Sequence, residues 1–408
     1  MTDHETTQIY EKAPSSSETT RRILGLGSLT LLTITAAAIL HVNQPEFIFD
    51  RFLGITEFEY SLFDSVLYLS YLLFGLLTGA LSDRWSRRRE FVLLGTSGSI
   101  VFYWLMTTTL TYPLLLTYRF LQGAFTVMVW QTLMTLAIDF SGPYDRGRNM
   151  GIFGAFLALA MGMGPAIGGV FASYGVFVPY YAAAILNVVV LFSSFFGLRD
   201  PIVTESRPTL MHSLTVAKRH PKLVVPGVFN FIDRLHIGFI LTALPLFLSV
   251  VLGLSESLRG LSLAVFAMPF IILQYPMGRL SDRYGRYAPL VVGSIGYGLT
   301  LSALGYFGAF GFTALLLMLA VLGLFSGVTA PPSMALVGDI VQSEDSAMAM
   351  GFFNFMGNLG ITIGPLIFGF MLLVADFVTA FAVAGLLELL TLVLNVVLVK
   401  TVFHETII

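Results

Sequence analysis

The segment "NFIDRLHIGF" (230–239) places Asn230, Asp233, Arg234 and His236 inside an otherwise apolar run, and "YRFLQG" (118–123) does the same with Arg119 and Gln122. A central Arg or Asp in hydrocarbon costs about 2.5–3.5 kcal/mol, so such groups persist where they pair, bind an ion or carry a proton. On a helix, Asn230 and Arg234 share one face at i,i+4, and Asp233 and His236 share another at i,i+3. Adjacent Asp233 and Arg234 point about 100° apart and need not pair. An Asp beside a His is suited to proton transfer, because burial disfavours the charged form of each. The same four residues could instead form a purely structural cluster at the end of a helix. Arg119 has its nearest polar company in "HVNQPEF" (41–47), which offers His41, Asn43, Gln44 and Glu46. Asp64, with Tyr68 and Tyr71 one and two turns on, and Glu388 are further ionisable groups in apolar runs. The proton-handling candidates are Asp233, Arg119, His236, Glu46 and Asp64. Candidates for lining a cavity are His41, Asn43, Gln122, Trp130, Gln131, Asn230, Arg234 and Gln274, all of which could equally bond helix to helix.

Composition identifies the elements that must hold these groups. Of 408 residues only 11% are charged, and the mean hydropathy is +0.83. A soluble chain of this length needs more charge to cover its surface. A net charge of −2 gives no bias toward nucleic acid, and the absence of Cys excludes disulfide and thiol chemistry. The six His show no metal-ligand spacing, and no phosphate-binding loop or nucleophile–base motif occurs, so neither ATP-driven chemistry nor an enzyme is expected. Residues 1–22 are polar and rich in Ser and Thr, as a disordered tail would be. Apolar runs long enough to cross a bilayer fall at 24–48, 60–82, 91–110, 113–138, 149–173, 176–198, 223–251, 258–280, 289–309, 312–338, 347–373 and 376–399. The polar stretch 199–222 divides them six and six. The predicted architecture is an all-α membrane protein with bundles at 23–198 and 223–400, a linker at 199–222 and a tail at 401–408.

All but four of the 22 Lys and Arg fall in the N-terminal tail, in alternate connections or at the C-terminal end. Arg51 and Arg259 lie in connections on the other side, and Arg119 and Arg234 lie inside spans. The positive-inside rule then places both termini in the cytoplasm. The halves also repeat. "GALSDRWSRRR" (79–89) returns as "GRLSDRYGRYA" (278–288), and "YDRGRNMGIFGAFLALAMGMGPAIGG" (144–169) returns as "EDSAMAMGFFNFMGNLGITIGPLIFG" (344–369). Parallel repeats of this kind suggest a transporter with a midplane site between the halves.

These motifs resemble those of the major facilitator superfamily, over residues 20–400. "GALSDRWSRRR" resembles the family's turn G-x-L-x-D-R-x-G-R-R between helices 2 and 3, with Ser86 in place of Gly. The second copy restores the glycine as Gly285 but has Tyr287 in place of a base. "YRFLQG" resembles R-x-x-Q-G of helix 4, and "AMGMGPAIGG" (160–169) resembles the helix-5 motif of the drug:proton antiporter group, with Ala160 for its first Gly. The resemblance implies that Arg119 packs toward helix 1 and takes part in proton coupling. It also implies a conformational latch of Gly79, Asp83, Arg84 and Arg87, repeated as Gly278, Asp282, Arg283 and Arg286. Asp83 would face the start of span 11 near Ser346, and Asp282 the start of span 5 near Asn149, while the cytoplasmic side is closed. Gly164-Pro165 and Gly364-Pro365 are expected to bend spans 5 and 11. The expected function is alternating-access export of a small hydrophobic or amphipathic compound by a monomer in the cell membrane. A proton gradient would drive it without a cofactor, and the lipid bilayer and the substrate would be its only partners. An importer of a sugar or organic acid, or a non-transporting membrane scaffold, are the alternatives.

Overall fold

A computed structural model describes residues 16–85, 87–142, 145–198, 200, 210–342 and 345–403. The side chains of Asp83 and Arg84, and the surroundings of Gly79, lie outside what it describes. The described residues form fourteen α-helices: α1 (Ser16–Ala38), α2 (Gln44–Phe49), α3 (Glu57–Trp85), α4 (Arg88–Thr108), α5 (Tyr112–Asp139), α6 (Arg146–Ala172) and α7 (Val178–Gly197); then α8 (Leu210–Arg219), α9 (Val224–Leu246), α10 (Glu256–Tyr284), α11 (Tyr287–Phe307), α12 (Phe312–Ile340), α13 (Ser346–Val374) and α14 (Phe377–Val397). Ten are long and apolar enough to cross a membrane on length and composition. The long helices α1 and α3, richer in charge at their ends, complete twelve.

Three boundaries depart from the hydropathy reading. Helix α1 begins at Ser16, inside the segment expected to be disordered, with Arg22 bonded to Glu18 at 2.7 Å. The expected span 24–48 is broken: α1 stops at Ala38, and a separate α2 starts with Pro45 in its first turn. Pro45 has no N–H to continue a helix but fits a helix start, so the chain turns at His41–Asn43. The expected linker contains α8. Its Val216 packs with Leu223, Phe352 and Phe353, and His220 lies 3.0 Å from Asp345, which fastens α8 to the start of α13. On the other side of the linker, the Asp200 carboxylate accepts the Arg89 backbone N–H at 2.7 Å.

Helices α1, α3, α4, α5, α6 and α7 pack as one bundle, and α9 to α14 as a second. Across the seam, α3 meets α13 and α6 meets α10. The start of α1, the α3–α4 and α10–α11 turns and the end of α14 share one end of the molecule, called here the basic face. The opposite face carries α2, the α3 start and the α10 start. The seam is tight toward the opposite face, where two glycines at equivalent repeat positions make it so. A methyl group on Gly169 would strike the backbone of Glu256 and Ser257, and one on Gly369 would strike Ser61 and Phe58. Close backbone approach of this kind requires glycine. Arg259, Gly260, Ser262, Leu263 and Phe266, in the first third of α10, are buried. Nearer the basic face, on the α6 stripe that carries Gly169 and Gly162, methyl groups on Gly154 and Gly151 would meet nothing within 4 Å among the described residues. The molecule is therefore closed at the opposite face and parted toward the basic face.

Candidate functional site

The N-terminal bundle holds a fully buried polar network. Gly123, one turn past Arg119 on α5, sits where a methyl would strike Ser70 and crowd Leu67 of α3. That close contact brings Arg119 against Asp64, which lies on the same α3 face as Leu67. Arg119 Nη2 is 3.5 Å from Asp64 Oδ1, and Arg119 Nη1 donates to Gln122 Oε1 at 3.0 Å. Gln122 in turn donates to Tyr103 and Thr126, at 3.0 and 2.7 Å. The guanidinium lies over the Phe63 ring, 4.5 Å from its centre. His41 Nδ1 stands 3.6 Å from Asp64 Oδ1. The other Asp64 oxygen accepts Thr242 Oγ1 at 2.9 Å, and Thr242 belongs to α9 of the other half. Tyr60 also reaches across, donating to the Thr242 carbonyl at 3.4 Å. A buried ion pair of this kind is tolerable only because further hydrogen bonds occupy both partners.

Of the partners expected for Arg119 from residues 41–47, His41 meets it only through Asp64, and Glu46 is committed elsewhere. Glu46 takes both ends of Arg259 across the seam, at 2.8 Å for each oxygen, and accepts Ser249 Oγ at 2.9 Å. Arg259 is buried and is also 3.4 Å from Glu256. A bidentate Arg–carboxylate contact is the strongest geometry for such a pair. Asn43 donates to the Val176 carbonyl at 2.7 Å and so ties the α1–α2 corner to the start of α7.

In the C-terminal bundle the sequence cluster on α9 is dispersed. Asn230 is buried and donates to the Phe353 carbonyl at 2.7 Å, a helix-to-helix bond rather than a cavity contact. Asp233 and Arg234 do lie together, at 3.8 Å. His236 does not turn to Asp233: its Nε2 is 2.9 Å from the Ala384 carbonyl, and its Nδ1 is 3.3 Å from Glu388 Oε2. Glu388, on a helix at the rim of the bundle, is nonetheless buried.

Between the halves lies a cavity of about 50 Å³, lined by Met161 and Pro165 of α6 and by Ile237, Leu241, Leu263, Phe266, Phe270 and Ser326. Its wall is almost wholly apolar. Gln131 packs against Gly75 of α3, and the Trp130 Nε1 is buried without a hydrogen-bond partner among the described residues. Gln274 is half-buried on α10, one residue before the exposed Tyr275. Helices α6 and α13 run unbroken through Pro165 and Pro365. Gly164 meets Ala38, and Gly364 meets the Leu235 carbonyl, as close-packing points.

At the basic face the second latch copy is engaged within its own half. Arg286 bonds Asp339 at 2.7 Å, Ser281 at 2.9 Å and also Asp282. The Asp339 hydrogen bond raises the Arg286 pKa further. Asp282 is largely exposed, while Asn149 bonds Ser141 at 3.0 Å, so Asp282 does not cap α6 here. Among the described residues Gly278 has only Pro331 within 4 Å, and the Arg283 guanidinium lies over Tyr284. In the first copy the counterpart of Arg286 is Arg88 rather than Arg87. Arg88 is fully buried and bonds Asp139 at 3.2 Å and Ser82 at 2.6 Å, whereas Arg87 is exposed and meets only Glu90 among the contacts seen.

Comparison with known proteins agrees with this architecture. The chain is 23% identical over 336 residues, 79% of its length and 84% of the other, to an uncharacterized MFS-type transporter of Methanocaldococcus jannaschii. It is 26% identical over 304 residues, 71% of this chain and 74% of the relative, to the class C tetracycline resistance protein of Escherichia coli. Over 174 residues, 42% of this chain and 43% of the relative, it is 32% identical to the quinolone resistance protein NorA of Staphylococcus aureus. Its fold superposes on a crystal structure of the nucleoside transporter NupG with a TM-score of 0.75, at 13% identity, covering 93% of this chain and 99% of that one. The family model of the Major Facilitator Superfamily matches residues 26–232 and again 227–406. Two matched bundles joined at a seam that is closed at one face and parted at the other make this a multi-pass membrane transporter, and the chain belongs to the major facilitator superfamily.

Proposed function

We propose that the chain exports a small hydrophobic or amphipathic compound in exchange for protons, with Asp64 as the coupling carboxylate. One observation carries this reading. Asp64 is buried in the N-terminal bundle, yet one of its oxygens is occupied by Thr242 of the other bundle. Parting the halves at the opposite face withdraws Thr242 and uncovers the carboxylate to protons from that side; closing them restores the contact. Occupation of Asp64 and the direction of opening are thereby tied together, as exchange requires. The apolar seam cavity suits an apolar substrate. The resistance proteins among the relatives support export. The basic residues gathered at one face favour a cytoplasmic position for that face by the positive-inside rule, and on that reading the conformation is inward-facing. Asp233, another of the acids read from the sequence as proton-handling candidates, makes no cross-half contact among those seen and is second to Asp64.

The test is a drug-susceptibility panel in cells over-expressing the chain, with and without a proton uncoupler, followed by Asp64→Asn in proteoliposomes. Uncoupler-sensitive resistance should appear, and Asp64→Asn should abolish gradient-driven accumulation while leaving downhill exchange measurable. Inward accumulation of a solute, or full coupling in the variant, would overturn the reading.

A further inference from the structure

We propose that His236 and Glu388 form a second proton-binding site, a dyad that holds one exchangeable proton inside the C-terminal bundle. Both ring nitrogens of His236 have a polar neighbour. Its Nε2 is 2.9 Å from the Ala384 carbonyl, which has only lone pairs to offer, so Nε2 carries a hydrogen. Its Nδ1 lies 3.3 Å from Glu388 Oε2 and, among the described residues, is buried without a hydrogen-bond partner. His236 is 0% exposed and Glu388 4%, so bulk water does not separate them. Two bare lone pairs facing each other at that distance would repel without screening. A single proton held by the pair, as imidazolium with carboxylate or as imidazole with carboxylic acid, removes that repulsion. In either form the dyad is neutral. Without the proton it is a buried anion.

The surroundings decide when that proton can leave. On α9 the charged neighbours are Asp233, one turn back, and Arg234, which is already 3.8 Å from Asp233. From α11 comes Tyr297, whose ring centre is 5.3 Å from that of the imidazole. Helix α14 supplies Glu388 itself and no other ionisable side chain. Helix α13 contains none, and the one on α12 is Asp339 at its far end. Arg234 is thus the nearby cation, and Asp233 already holds it. The dyad gives up its proton when Arg234 is released toward it or when Asp233 takes the proton over, and Asp233 is within electrostatic reach of both members. Ser326, close to Asp233, lines the seam cavity. The route from cavity to dyad thus passes through Asp233, which gives that residue a relay role.

The existence of the site stands on geometry alone; its use in transport rests on the proton-exchange reading above. The test is potentiometric proton counting on the purified full chain in nanodiscs between about pH 6 and 9, above the range in which an ordinary Glu titrates, comparing the parent, Glu388→Gln, Asp64→Asn and the double variant. A Gln amide can donate to Nδ1, so Glu388→Gln keeps the contact and the fold, which thermal unfolding checks. Loss of one proton equivalent in Glu388→Gln, additive with that in Asp64→Asn, is the expected result. An unchanged count in a folded Glu388→Gln overturns the proposal. If the chain proves uncoupled from protons, both single variants will transport like the parent. Because the count reports the site independently of transport, the two failures can be told apart.

Discussion

The two bundles descend from one repeat, yet they treat buried charge differently. In the N-terminal bundle Asp64, Arg119 and His41 form a network that reaches out of its own half to Thr242. In the C-terminal bundle His236 and Glu388 face inward, away from the seam, and Leu319 stands where the repeat would put the counterpart of Arg119. A network that crosses the seam is made or broken as the halves rock. A dyad within one half rides along intact and changes only its proton. The duplicated scaffold supplies the rocking, and unduplicated side chains supply the asymmetry that makes the motion do work.

The largest effect should come from Arg119→Ala. It leaves Asp64 buried without its guanidinium, a loss of about 3–5 kcal/mol, read as a drop in thermal unfolding temperature. Asp64→Asn in the same chain should restore much of it, because the orphaned charge is then gone; no recovery would mean that Arg119 stabilises by packing on Phe63 alone. Next comes the basic-face pair: Arg88→Ala should cost several times more than Arg87→Ala, the latter within about 0.5 kcal/mol as for an exposed residue. Equal losses would erase the correspondence of Arg88 with Arg286. Glu46→Gln removes the charge from the Arg259 contact, a change of about 2 kcal/mol given that Glu46 is partly exposed, enough to shift the population by more than about tenfold. A cysteine at Ser61, now sealed against Gly369, should then react faster with an impermeant thiol reagent from the opposite face, and an unchanged rate would show that the glycine contacts alone hold the seam. The smallest effect is expected for Asp282→Asn: stability within about 0.5 kcal/mol, because Arg286 keeps Asp339 and Ser281, but a higher accessibility of the cavity from the basic face in chains that are cycling.

Much of this was legible in the sequence, for physical reasons. Long apolar runs report the bilayer, and the repeated turn and Gly-Pro motifs report the duplication. Arg119 announced itself by its cost. What escaped is equally instructive. Hydropathy averages across a window, so it ran through Pro45 and merged α1 with α2. In "RRR" three consecutive bases look alike, and only the rotation of about 100° per residue decides that Arg88 turns inward to Asp139. Glu46 and Arg259 are 213 residues apart, on α2 and α10, with no shared periodicity. In sequence Arg259 was simply one of the few bases on its side. Thr242 carries no charge and gave no signal.

The linker bears on a different question, that of tether length. Asp200 is pinned to the Arg89 amide in the first bundle, and α8 is fastened to α13 in the second. Nine residues, 201–209, separate these two anchored segments in sequence, and a chain of nine residues reaches about 30 Å at most. So short a leash keeps each half at millimolar effective concentration toward the other, whatever the strength of the seam. The seam contacts can therefore be weak enough to break in every cycle without the halves parting company. Cut within 201–209, the same two bundles would have to find each other by diffusion in the membrane, and contacts adequate for a hinge would become inadequate for a dimer.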